Sequence, residues 1–150
     1  MKRLSFAMLV AVSACASAPK PQTPAEMLLG QWSCEVTNGD LTTKGDVTYL
    51  PDGKATLKAT VALAVAGQAA VIEGAGESRW AFQADGRLQE TLTSLTVGSG
   101  TLGGKPVPTA MIQPMINNNL LNKATTSTAD ITPRKMVLDA GDGAPKTCTR

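Results

Sequence analysis

The sequence predicts a mainly β protein, a small antiparallel barrel or sandwich of about eight or nine short strands with one short inserted helix. Three observations predict it. Apolar and polar residues alternate at period two over most of the chain beyond residue 30. Turn signals punctuate that alternation at short intervals: Asn38-Gly39-Asp40, Pro51-Asp52-Gly53, Ala84-Asp85-Gly86 and Gly141-Asp142-Gly143. Cys34 and Cys148 fall in the first and last predicted strands. A bond between them favours a closed sheet, because closure brings terminal strands together by construction, although a sandwich can do so too.

Pro24 to Gly30 reads as one or two helical turns, started near Thr23-Pro24 and stopped by Gly30. In the strand that follows, Trp32, Cys34 and Val36 share one face. Thr42 to Leu50 continues with Val47 and Tyr49 in phase. Lys54 to Ala66 is a longer strand with Leu57, Ala59, Val61, Leu63 and Val65 on one side. Its second half, Val61 to Ala66, is apolar on both faces, either because a helix or loop covers it or because another protein does. Gly67 breaks the run, Ala69 to Glu73 forms a weak strand, and a separate strand follows with Trp80 and Phe82 on one face.

Arg87 to Val97 returns across the Asp85-Gly86 turn, and residues 98–106 form a flexible loop. Within Thr109 to Lys123, Ile112, Ile116 and Leu120 recur at spacing four beside Met111 and Met115, which is a helical stripe. Pro114 and the Asn117-Asn118-Asn119 run are poor helix material, so a short helix starting near Gln113 is expected. Thr125 to Thr132, Lys135 to Ala140 and Lys146 to Thr149 complete the chain as three short strands.

Composition argues against catalysis and against nucleic acid. At 150 residues and 43% hydrophobic content the chain has material for one domain with a core. It contains no histidine, the commonest general base and a common metal ligand. Lys2 and Arg3 carry the whole excess of 14 Lys+Arg over 12 Asp+Glu, so the remainder is neutral. Gly98-x-Gly100-x-x-Gly103 matches a dinucleotide fingerprint as a string, but Gly104, Pro106 and Pro108 forbid the helix it requires. Gly74-Ala75-Gly76-Glu77-Ser78 is no nucleophile elbow. Glu73, Glu77, Asp85 and Glu90 read as solvated charges around a hairpin. No catalytic residue, metal site or cofactor is expected.

Met1-Lys2-Arg3 followed by the apolar Leu4 to Val12 has the form of a secretory signal, too short to span a bilayer. Val12-Ser13-Ala14-Cys15 resembles the lipobox of bacterial lipoproteins, which implies lipidation of Cys15; Ala16-Ser17-Ala18 offers an ordinary cleavage site instead. Ala16 is similar to the non-acidic residue that follows the lipidated cysteine in lipoproteins sent to the outer membrane. The expected organisation is a signal peptide over 1–14, a lipidated cysteine and flexible tether over 15–25, and the folded domain over 26–150. The membrane is then one partner, through Cys15, in an envelope compartment facing the periplasm. In that oxidising setting Cys34 and Cys148 most simply pair with each other. A redox-active or metal-binding thiol pair is the alternative, without a Cys-x-x-Cys or a histidine to support it.

Gly30-Gln31-Trp32, entering the first strand from a short helix, resembles the Gly-x-Trp signature of lipocalins and the wider calycin group. Tyr49-Leu50-Pro51-Asp52-Gly53 and Trp80-Ala81-Phe82-Gln83-Ala84-Asp85-Gly86 are similar to hairpins of bacterial lipocalin-like domains. The resemblance implies a small up-and-down β-barrel that binds rather than catalyses. The inward strand positions Trp32, Tyr49, Leu57, Val61, Trp80 and Leu92, with Met111 and Met115, are the candidates for lining a site for a small lipophilic ligand, with the Met111–Leu121 helix over one end. The alternative is that the same residues fill a small barrel completely. Leu28 to Trp32 also resembles the opening of bacterial metalloprotease inhibitors, which implies a protease partner engaged by Ser17 to Thr23. A structural envelope lipoprotein contacting a protein partner through Val61 to Ala66 is the third expectation.

Overall fold

The computed structural model describes residues 22–150; the signal, Cys15 and most of the tether lie outside the described residues. The chain folds as α1 (Pro24–Leu28), β1 (Gly30–Asn38), β2 (Leu41–Tyr49), β3 (Lys54–Val65), β4 (Gln68–Phe82), β5 (Leu88–Leu102), β6 (Lys105–Pro106), α2 (Thr109–Leu120), β7 (Ala124–Ile131), β8 (Lys135–Asp139) and β9 (Lys146–Thr149). All pairings are antiparallel, in the order β4-β3-β2-β1-β9-β8-β7-β5-β6. The further β4–β5 pairing closes the sheet into a ring, with the two-residue β6 attached to β5.

Closure places Cys34 directly opposite Cys148 on the paired β1 and β9, and the two form a disulfide with Cα atoms 4.0 Å apart. Period-two alternation sends one face of every strand into the ring. At one end the interior is dry and packed: Leu28, Trp32, Tyr49, Leu88, Met136 and Cys148 are all at most 1% exposed. α1 seals this end. Thr23 caps it by accepting from the Glu26 amide, while Glu26 reaches back to the Thr23 amide. The Trp32 indole donates to the Leu28 carbonyl at 2.8 Å. Arg150 lies over the Trp32 ring at 4.1 Å and donates to the Met27, Leu29 and Pro133 carbonyls. One guanidinium thus joins α1 to the turn between β7 and β8.

Three expectations need correction. Ala69–Glu73 and Glu77–Phe82 are one continuous strand, β4, bent by register shifts at Glu73/Gly74 and Glu77/Ser78. Gly76 lies so close to the Ser94 carbonyl that a β-carbon would collide with it, so the glycines that read as a break permit a close approach. Residues 98–102 extend β5 rather than forming a loop; the turn is confined to Gly103-Gly104, both at positive φ. α2 begins at Thr109, with Pro114 inside it, rather than near Gln113. Contacts to β5 hold that helix despite the missing amide.

β7 pairs with β5 only from Leu88 to Thr91, so the rest of the β5 edge needs another partner. α2 and its flanks supply one. The Gln113 side chain donates to the Leu95 carbonyl at 2.7 Å and accepts from the Val97 amide at 2.8 Å, the two bonds a neighbouring strand would make. The Asn122 amide donates to Leu92 and the Val107 amide to Gly100, each at 2.8 Å. Gly100 is buried beneath Ile112, whose side chain occupies the space a β-carbon would need. Within the apparent nucleotide fingerprint, Gly100 therefore seats the helix against the strand edge, while Gly103 takes the turn.

Candidate functional site

The packed interior stops halfway along the ring. At the end opposite α1 a cavity of about 430 Å³ remains, lined by inward residues of β3, β4, β5, β7, β8 and β9 and by the C-terminal end of α2. Its apolar wall includes Leu57, Leu92, Leu120, Leu138, Ala140 and Ala144. Its polar lining consists of Ser78, Ser127, Thr125, Asn119 and three ionisable side chains, Glu90, Lys123 and Lys146. A smaller space of about 170 Å³, against Val36, Val47 and Ala59, shares Leu57, Ser78, Glu90 and Lys146 with it.

The floor between dry core and cavity is a polar chain of three residues. Tyr49, 1% exposed, donates its hydroxyl to Glu90 Oε1 at 2.7 Å. Glu90 Oε2 accepts from Lys146 Nζ at 3.0 Å, and this ion pair spans the ring from β5 to β9. Burial holds the Tyr49 phenol well above its usual range, and the adjacent Glu90 carboxylate raises it further by its charge and by accepting the hydrogen bond. Tyr49 is therefore a hydrogen-bond donor, protonated at any physiological pH. Beside the pair, Ser78 and Ser127 are 6% and 5% exposed and line the cavity.

Among the residues singled out from sequence, the structure brings Leu57 and Leu92 together at the cavity. Trp32 and Tyr49 lie below it in the packed core. Trp80 is half-buried, meets Tyr49 edge-on at 6.1 Å and donates to the Lys54 carbonyl at 3.0 Å; its outer side borders a shallow polar hollow. Val61 is half-buried opposite Thr43 and Ile72, away from the cavity. Met111 and Met115 are 67% and 66% exposed on α2, because Ile112, Gln113 and Ile116 form the face turned to β5. Asn119 and Leu120, at the C-terminal end of the same helix, line the cavity.

The structure corrects the expectation that Glu90 is a solvated hairpin charge: its side chain is 18% exposed and pairs with Lys146, which sequence reading missed. A signal existed for both. The alternation that turns Leu88 and Leu92 inward turns Glu90 inward between them, and Lys146 stands two residues before the inward Cys148. No family model matches the chain, and no curated protein matches it.

Proposed function

We propose that this chain is a lipid-anchored envelope protein whose closed sheet is a lipocalin-like β-barrel, and that it acts by binding a small amphipathic molecule in the open half of that barrel. The cavity of about 430 Å³ carries this reading. Ligand sites are concave, mostly apolar, and in the range of roughly 300–1,000 Å³, with a few convergent polar groups that fix orientation. The cavity has this composition, with leucines on the walls and Ser78, Ser127, Glu90 and Lys146 as its convergent polar groups.

Binding without chemistry is favoured by the state of that floor. Both Glu90 oxygens are already engaged and Tyr49 holds its proton, so neither is poised as a base. An anchor on Cys15 would join the domain at α1, the sealed end, leaving the mouth at the end away from the membrane. Organic extraction of the mature protein, purified from the envelope, tests the reading. The expected result is one recurring small apolar or amphipathic species at near-stoichiometric yield. Repeatedly empty extracts from protein that stays folded would contradict it.

A further inference from the structure

We infer that the head group recognised in this cavity is a carboxylate and that Lys146 is the residue that receives it; the inference rests on the cavity being a ligand site. Three lining side chains ionise, two lysines and one glutamate, for a net formal charge of +1. Their hydrogen bonds are not evenly used. An ammonium carries three donors and no acceptor. Glu90 takes one donor of Lys146 at 3.0 Å, which leaves two on a side chain that is 31% exposed and lines the cavity. Glu90 itself is occupied on both oxygens, by Tyr49 and by Lys146. The hydroxyls of Ser78 and Ser127 stand beside the pair on the same lining.

This arrangement discriminates between head groups. An alkylammonium would face Lys123 and Lys146, and the Glu90 carboxylate already shares its charge with Lys146. An alcohol would accept from Lys146 but supply no charge to offset an ammonium losing its water. A carboxylate has two oxygens to accept from the spare donors, and charge-assisted bonds of this kind are about twice as strong as neutral ones. The head then sits at the floor and the apolar body rises past Leu57, Leu92 and Leu138 toward Leu120 at the mouth.

Calorimetric titration of the mature, disulfide-bonded protein with octanoate, 1-octanol and octylamine separates these cases. Octanoate is expected to bind at least roughly tenfold more tightly than either of the others. Lys146→Gln should weaken octanoate by at least about tenfold while leaving octanol within about twofold. Glu90→Gln should tighten octanoate, because it removes the negative charge that competes with the ligand for Lys146 and raises the lining charge. Octanol or octylamine binding as well as octanoate overturns the inference but keeps the pocket. So does a Glu90→Gln variant that loses octanoate as Lys146→Gln does, since an ion pair with only a structural role predicts equal damage from either side. If none of the three probes binds, the pocket reading fails as well.

Discussion

Arg150 performs three tasks at the sealed end with one side chain. Its planar guanidinium covers Trp32 and donates to three backbone carbonyls, two of them at the C-terminal end of α1, where carbonyls lack helical partners. A lysine cannot reproduce that fork. Arg150→Lys should therefore resemble Arg150→Ala, each lowering stability by about 2 kcal/mol, since these bonds are charge-assisted but solvent-exposed. A urea titration with a lowered midpoint and an unchanged slope checks it. Tyr49 makes a second residue-level prediction. Its folded-state pKa lies above the usual 10.0, so the unfolded chain releases the phenolic proton first as pH rises. This contribution to stability is intact below about pH 10 and is lost as pH climbs toward the higher folded value. The chain has one tyrosine, so phenolate absorbance reports Tyr49 alone. The expected signal is titration well above pH 10 in folded protein and near 10 in urea. Tyr49→Phe should remove this alkaline loss.

At the scale of elements, α2 explains how a sheet can close while two of its strands part company. β5 leaves β7 after Thr91, and Gln113 fills the place of a strand at Leu95 and Val97. An unfilled edge would be open to other strands. Gln113→Ala should speed hydrogen exchange of the Val97 amide by about one to two orders of magnitude, with amides on β1 and β9 unaffected. Gly100→Val should unseat Ile112 and have a similar local effect. The strands themselves were legible where turn chemistry was strong, at Asn38-Gly39, Pro51-Asp52-Gly53 and Asp85-Gly86. They were not legible between Glu73 and Glu77 or over residues 98–102, where Gly76 and Gly100 serve close packing within a strand. α2 was misplaced for the converse reason. Propensity disfavours a helix through Pro114, and its anchor to β5 is a tertiary contact that local sequence does not display.

On the scale of the whole molecule, the disulfide and the ring are one device. Cys34 and Cys148 are 114 residues apart and close the sheet at the β1–β9 pairing. A cross-link over a loop of this length stabilises by about 2–5 kcal/mol, chiefly by restricting the unfolded chain. The Cys34→Ala/Cys148→Ala variant should lose about that much in urea unfolding while keeping its β circular dichroism. The cysteine pairing was readable because, once Cys15 is assigned to lipid, only two cysteines are left. The division of the interior was not. Trp32, Tyr49 and Leu57 all read as inward, and nothing in their spacing says which are packed and which border space. That depends on where strands diverge and on the ion pair between Glu90 and Lys146, which are 56 residues apart.

The cavity beyond Glu90 and Lys146 is proposed to hold a ligand rather than to be spare volume. Native mass spectrometry of the protein purified from its natural host, beside a Leu92→Trp variant that fills the cavity, decides between the two. Filling unoccupied space commonly adds about 0.5–2 kcal/mol of stability, so the variant should stay folded. A ligand site should give a discrete small-molecule mass on the natural chain and none on Leu92→Trp. A bare mass for the natural chain, or the same adduct on both proteins, would contradict it.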